Sequence, residues 1–250
     1  MTGRVQALRD PGPIVLLSPD GFPGRSIRWG HCWQVGTPAY WVGLTAAAIQ
    51  DGRLRDSRHR HRLGSDLIEE VAACLLGGHG LRHQVGLAAF EAVRADGLLK
   101  RRAHASDIER VLRHPLKIGE RTVHYRFPAQ RARYLAAALT TLRTQNPPES
   151  ARVLREWLLD IPGIGPKTAG WIVRNHLASD DVAVIDIHVL EAGVGASVFD
   201  PSWTPTRDYD LLEAMFLTWA RQGAVSAADL DAVIWVERAR TPKAYTSQRS

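Results

Sequence analysis

The sequence has few cysteines and no long apolar run, and each scarcity excludes a class of protein. Two cysteines, Cys32 and Cys74, are too few for a disulfide framework or a cysteine-rich metal site. No run reaches the roughly 18 apolar residues that a transmembrane helix needs, and no secretory signal pattern opens the chain. We therefore expect a soluble cytoplasmic protein that does not engage membranes.

Lysine is also scarce, although the chain is basic. The formal net charge is +6, and only four of the 32 basic residues are lysines, namely Lys100, Lys117, Lys167 and Lys243. This balance favours a polyanionic partner, but an arginine-rich surface alone would produce it as well. Because arginine cannot lose its proton to become a nucleophile, a lysine retained beside a glycine-rich turn indicates a chemical requirement for an amine.

Such a turn joins two segments that have the apolar spacing of helices. Residues 150–159 and 166–176 are predicted helices, separated by Ile161-Pro162-Gly163-Ile164-Gly165. Pro162 ends the first helix and the glycines allow a sharp reversal. The second helix would begin at Pro166 and present unpaired N–H groups to an anion. A plain helical hairpin without a ligand is the alternative.

Two ionisable residues favour the ligand-binding interpretation. Lys167 directly follows the turn, and Asp186 ends an apolar run that begins at Val182. An amine nucleophile and a carboxylate beside a phosphate site predict an enzyme that holds DNA and attacks a sugar carbon. Asp186 could also cap the helix that begins near His188, and the two roles are compatible.

These residues carry a resemblance to a known family. Residues 149–194 resemble the helix-hairpin-helix (HhH-GPD) DNA glycosylase superfamily, whose signature is L-P-G-[IV]-G-x-K-x-A followed by V-D-x-H. The lysine and aspartate of that signature correspond to Lys167 and Asp186. Residues 124–135 are similar to the R-F-x-N-x-[RK]-A-x-[YW]-[IL] segment of the 8-oxoguanine glycosylase branch. The absence of cysteines after Cys74 disfavours the iron–sulfur branch of endonuclease III.

The resemblance implies a mainly α fold with two helical subdomains and a cleft between them. We expect residues 63–250 to form the helical glycosylase domain, with the hairpin at 150–176. Residues 1–62 would form an N-terminal extension or a small β element packed on that body. Three short runs in it, residues 14–17, 27–34 and 40–44, are candidate strands.

The implied activity is excision of an oxidised purine, most closely 8-oxoguanine, from double-stranded DNA. Asp186 would stabilise positive charge on the sugar, and a neutral Lys167 amine would form a Schiff base that permits β-elimination, the lyase step. The protein would act as a monomer, associated with the nucleoid. No cofactor or metal site is expected, although backbone carbonyls of the hairpin could bind a monovalent cation.

Other candidate site residues follow from the same resemblance. Gly163, Gly165, His188, Arg126 and Arg131 would contact the DNA backbone, as could Arg133 and Arg174. Asp231, Trp235 and Lys243 would form the base pocket, with Asp231 and Trp235 on one helix face, and His79 would be the strand wedge. For each residue a role without DNA contact is the alternative. Trp235 would then belong to the hydrophobic core, His188 would pack or cap a helix, and the arginines would be solvated at the surface.

Two other functions stay open from the sequence. One retains the fold but acts on an alkylated, deaminated or hypermodified base. The other is a non-catalytic hairpin module that only binds the DNA backbone. The second would need neither Lys167 nor Asp186.

Overall fold

The protein is mainly helical, as predicted. The computed structural model describes residues 10–54, 61–78 and 80–240. In this part of the chain the helices are α1 Pro38–Gln50, α2 Leu67–Leu76, α3 His83–Ala95, α4 Ala105–Arg113, α5 Pro128–Thr144, α6 Ala151–Leu159, α7 Pro166–Leu177, α8 Ile187–Gly195, α9 Tyr209–Gln222 and α10 Ala227–Arg240. Two antiparallel pairs of strands accompany them, β1 Ile14–Leu17 with β2 Arg25–Arg28 and β3 Leu116–Ile118 with β4 Arg121–Val123.

The chain divides into two compact units. Residues 58–182 form a continuous unit, and residues 1–57 together with 183–250 form a discontinuous unit. The expected division into residues 1–62 and 63–250 stays a prediction. The crossing between the units at Val182 and Ala183 was not expected from the sequence.

The continuous unit has a core built from α2 to α7. Its fully buried side chains include Leu75, Phe90, Leu135, Leu139 and Ile172. The apolar faces come from the helical spacing in each segment, which brings residues three and four apart onto one side. Helix α7, which carries the candidate lysine, is therefore anchored by its own buried face.

A buried carboxylate also fixes α7 within this unit. The Glu70 side chain is fully buried, and its Oε2 accepts the N–H groups of Leu63 and Gly64, each at 2.9 Å. Its Oε1 accepts a bond from Asn175 Nδ2 on α7 at 2.7 Å. Because several donors compensate the desolvated charge, the carboxylate can join α2, α7 and the segment before α2.

Two neighbouring polar residues stabilise the start of α2. Asp66 is the N-cap, because its side chain accepts the Glu69 N–H at 2.9 Å. Ser65 instead donates its own N–H and hydroxyl to Glu69 Oε2, both at 2.9 Å. Both residues thus stabilise the start of α2.

In the N-terminal region one predicted strand is confirmed and one prediction is wrong. Residues 14–17 form β1, whereas the run at 27–34 is extended only as far as Arg28. Residues 40–44, expected as a strand, lie in helix α1. Thr37 caps that helix by accepting the Tyr40 N–H at 3.2 Å, and Pro38 occupies its first turn.

The discontinuous unit has its own core, to which the N-terminal region contributes. Leu17, Ile27 and Trp41 are buried in one cluster with Phe216 and Trp219 of α9. Trp219 Nε1 donates to the Pro38 carbonyl at 3.4 Å, at the start of α1. Segments from the two ends of the chain therefore share one core. Across the described residues, no helix combines the length and apolarity that crossing a bilayer would require.

Candidate active site

The predicted hairpin is present between α6 and α7. Helix α6 ends at Leu159, and the turn closes with a bond from the Ile164 N–H to the Ile161 carbonyl at 3.0 Å. Gly165 is the N-cap of α7, and Pro166 is its first residue. The missing N–H of proline costs nothing at that position, which explains why the helix begins there.

Gly163 is required in this turn for two independent reasons. Its φ is +89°, in the left-handed region that favours glycine. A Cβ atom at this position would also lie 2.3 Å from Cδ2 of Tyr134 on α5. The turn therefore packs its backbone directly against an aromatic ring.

We expect Gly163→Ala to destabilise the protein by about 3 kcal/mol, because left-handed strain adds to overpacking against Tyr134. Gly165→Ala is the matched control, since Gly165 has φ −99° and no atom within 4 Å of an added Cβ. It should cost at most about 1 kcal/mol, the loss expected at an N-cap. Urea unfolding measures both. Equal losses would contradict this description of the turn.

The first turn of α7 presents unpaired donors. The Ala169 N–H reaches the Gly165 carbonyl at 2.9 Å. The N–H groups of Gly165, Lys167 and Thr168 have no hydrogen-bond acceptor among the residues that the structure describes. Together with the positive end of the helix dipole, exposed donors of this kind bind phosphate groups.

Lys167 is the second residue of α7 and lies directly beside these donors. Its side chain is half-buried, and it forms no ion pair within the described ranges 10–54, 61–78 and 80–240. An amine in this position is adjacent to any phosphate that the helix start would bind. This position is suitable for a nucleophile that reacts with a nucleotide bound at the helix start.

Asp186 is the N-cap of α8, which is the capping role considered from the sequence. Its Oδ1 accepts the Val189 N–H at 2.8 Å, and the residue is half-buried. In the part of the chain that the structure describes, its Oδ2 takes part in no hydrogen bond. One oxygen thus orients the carboxylate, and the other can face a substrate.

Lys167 belongs to the continuous unit and Asp186 to the discontinuous unit. Their action on one sugar stays a prediction. Within the discontinuous unit, however, two predicted site residues are in contact close to Asp186 in the sequence. The rings of His188 and Trp235 meet edge to face with centroids 6.4 Å apart, and His188 lies two residues after Asp186.

Trp235 does not fill the core, so that alternative for its role is wrong. Its side chain is 43% exposed, whereas its neighbours Val233 and Ile234 are buried. Asp231, one turn earlier on α10, is only 8% exposed. His188 packs on the tryptophan, and its contact with a phosphate stays a prediction, as do the pocket roles of Asp231 and Trp235.

The candidate arginines have different environments. Arg126 is exposed, and its guanidinium lies over the Phe127 ring at 4.9 Å from the centroid. Arg131 is half-buried, and its Nε has no partner among the described residues. Arg174 is buried and donates through Nε and Nη2 to Asn175 Oδ1, so its expected phosphate contact is wrong. Arg126 and Arg131 remain predicted DNA contacts.

Two predicted site residues, His79 and Lys243, lie outside the described residues. Gly77, two residues before the predicted wedge, is the C-cap of α2 and contacts an aromatic residue that sequence reasoning missed. A Cβ at Gly77 would lie 3.3 Å from the ring of Trp171 on α7. Helix α7, which carries Lys167, therefore packs against the end of α2.

Within residues 10–54, 61–78 and 80–240, no group of three or more His, Cys, Asp or Glu side chains could hold an ion. The expectation that the protein uses no metal or cofactor stays a prediction.

Comparison with known proteins identifies the family. The model of the Ogg-HhH family, 8-oxoguanine DNA glycosylase, matches residues 51–224. The comparison with curated proteins gives no match.

Solved structures of similar fold include three glycosylase structures from two organisms. The 8-oxoguanine DNA glycosylase of Methanocaldococcus jannaschii is 23% identical over 82% of this chain and 94% of that one, with a TM-score of 0.62. The glycosylase/lyase of the same organism, in complex with a 15mer DNA containing 8-oxoguanine, is 21% identical over 81% and 98%, with a TM-score of 0.60. The Thermotoga maritima 8-oxoguanine DNA glycosylase is 20% identical over 80% and 96%, with a TM-score of 0.57.

The structural matches establish the helix-hairpin-helix glycosylase fold, and the family match covers the hairpin, Lys167, Asp186 and α9. The chain belongs to the Ogg-HhH 8-oxoguanine DNA glycosylase family and is an enzyme of the DNA glycosylase/AP lyase class.

Proposed function

We propose that the protein removes 8-oxoguanine from double-stranded DNA and then cleaves the strand through a Schiff base on Lys167. The observation that carries the proposal is the position of Lys167 in the first turn of α7, beside unpaired backbone N–H groups. Binding of a DNA phosphate alone would need only these backbone N–H groups. The amine adds a nucleophile at the same place.

The first step is loss of the base. As the bond between C1′ and the base nitrogen breaks, its electron pair leaves with the base, which takes up a proton. Positive charge then builds on the sugar, and a nearby carboxylate stabilises it. Asp186 fits this role because the Val189 N–H fixes its orientation through one oxygen only.

The second step is covalent. The neutral Lys167 amine donates its electron pair to C1′ and loses one proton. The bond from C1′ to the ring oxygen then breaks, that oxygen takes up a proton, and an iminium ion results. This ion acidifies the C2′ proton, whose removal expels the oxygen on C3′ and cleaves the strand. Water then hydrolyses the iminium ion, which releases the cleaved DNA and regenerates the free enzyme.

Recognition of the everted base needs an aromatic face and a polar reader. Trp235 is exposed enough to stack on a base, and Asp231 lies one helical turn away. A carboxylate accepts hydrogen bonds and suits the N1–H and the exocyclic amine of a guanine derivative. Stacking by Trp235 and base recognition by Asp231 are both part of the proposed function.

Replacing Trp235 tests the stacking role. Stacking of a base on an aromatic ring contributes about 1–3 kcal/mol, so Trp235→Leu should slow excision by about 5- to 150-fold. Trp33→Leu is the matched control, because Trp33 is also exposed (56%) and belongs to the same unit. The measurement is the single-turnover rate of base excision by each variant. If they retain equal rates, Trp235 does not hold the base.

A panel of defined lesions tests the substrate. Duplexes carrying 8-oxoguanine, an alkylated base, a deaminated base or no lesion are incubated with the enzyme, and both base release and strand cleavage are measured. We expect release and cleavage with 8-oxoguanine opposite cytosine and neither with undamaged DNA. A preference for an alkylated or deaminated base would replace the proposed substrate and retain the fold and the enzyme class.

A further inference from the structure

The short segment before Asp186 is buried and belongs to neither a helix nor a strand. Ala183, Val184 and Ile185 are at most 6% exposed. Buried backbone groups outside regular structure need other partners. In this segment the partners are two side chains of α9.

Both side chains reach the segment from the first two turns of α9. Glu213 Oε1 accepts the Ala183 N–H at 2.8 Å. The Tyr209 hydroxyl donates to the Ala183 carbonyl and accepts the Ile185 N–H, both at 3.2 Å. Tyr209 and Glu213 are four residues apart and therefore lie on one face of the helix.

Asp186 is thereby held on both sides. Immediately before it, Ile185 is bonded to Tyr209, and the Asp186 N–H itself closes a three-residue turn onto the Val184 carbonyl at 3.2 Å. After it, the Val189 N–H donates to its carboxylate at 2.8 Å. All of these contacts lie within the discontinuous unit.

We propose that Tyr209 and Glu213 are positioning residues that set the location of the Asp186 carboxylate for base excision. This inference rests on the proposed function. A carboxylate must lie close to the developing charge to stabilise it, and a displacement of about 1 Å can cost about a hundredfold in rate. Neither Tyr209 nor Glu213 touches the substrate in this account.

The test is a double-mutant cycle with Tyr209→Phe and Asp186→Asn. Phenylalanine retains the ring and removes only the hydroxyl. If the hydroxyl acts through Asp186, Tyr209→Phe should slow single-turnover excision of 8-oxoguanine by about tenfold in the wild type. In the Asp186→Asn background it should change the rate by less than about twofold, because the group it positions is already absent.

Tyr125→Phe separates positioning from stability. Tyr125 is also buried, and its hydroxyl donates to the Leu76 carbonyl at 2.7 Å in the continuous unit. We expect its loss to lower the melting temperature by an amount comparable to Tyr209→Phe. It should leave excision within about twofold of the wild type at a temperature where both variants are folded.

Glu213 gives a second measurement if Tyr209→Phe does not fold. Glu213→Gln retains an oxygen that can accept the Ala183 N–H, whereas Glu213→Leu removes it. The glutamine variant should therefore excise 8-oxoguanine faster than the leucine variant, with equal affinity for the lesion duplex. Equal rates for the two variants would overturn the inference for Glu213.

The outcomes distinguish this inference from the proposed function. If Asp186→Asn excises at the wild-type rate, Asp186 has no catalytic role and both fail. If Asp186→Asn is slow but Tyr209→Phe slows both backgrounds equally, only the positioning inference is wrong.

Discussion

The Lys167→Gln variant should form no covalent adduct with an 8-oxoguanine duplex in the presence of borohydride. Borohydride reduces an iminium ion to a stable amine, and glutamine cannot form that ion. Strand cleavage should fall by at least about a thousandfold, as expected when a nucleophile is removed. Denaturing gels of the trapped complex measure the adduct.

Lys117→Gln is the matched control for this experiment. Lys117 lies on β3, is exposed, and belongs to the same unit as Lys167. Each variant loses one positive charge, so a purely electrostatic contribution to DNA binding would affect both similarly. We expect Lys117→Gln to form the adduct as the wild type does. An adduct with Lys167→Gln would mean that another amine is the nucleophile.

The Asp186→Asn variant should fold normally and bind lesion DNA, but excise the base at least about a hundredfold more slowly. Asparagine caps helices about as well as aspartate, so the bond from the Val189 N–H can remain. Only the negative charge is lost, and removal of a single electrostatic stabiliser typically costs about 10²–10³ in rate. Single-turnover excision and thermal unfolding separate the two effects.

Asp66→Asn controls for the capping role. Asp66 is the N-cap of α2 and accepts the Glu69 N–H at 2.9 Å, as Asp186 accepts a backbone N–H in α8. The two substitutions are therefore the same change in the same kind of site. We expect similar small effects on stability and a rate defect only for Asp186→Asn. Wild-type excision by Asp186→Asn would remove this carboxylate from the mechanism.

The features that could be predicted from the sequence are those set by neighbouring residues. The hairpin follows from the glycines, Pro162 and Pro166, and from the helical spacing on either side. The capping role of Asp186 needs only the start of α8 beside it. The prediction of a strand at 40–44 was wrong for an equally local reason. The aromatic and β-branched residues there favour a strand, but the Thr37 cap before them and the alanines at 46–48 after them favour a helix.

The features that could not be predicted depend on contacts between distant segments. Tyr209 bonds to residues 24 and 26 positions away, and no periodicity in the sequence marks such a pair. Arg174 is buried and donates to Asn175, whose own amide donates to Glu70, 105 residues earlier in the chain. The joining of residues 14–41 to α9 in one core is of the same kind.

Identification of the covalently modified residue tests the central claim most directly. The wild-type enzyme is trapped on an 8-oxoguanine duplex with borohydride, the complex is digested, and mass spectrometry locates the sugar remnant. With only four lysines in the chain, the assignment is unambiguous. We expect the remnant on Lys167. A remnant on Lys100, Lys117, Lys243 or the N-terminal amine would contradict it.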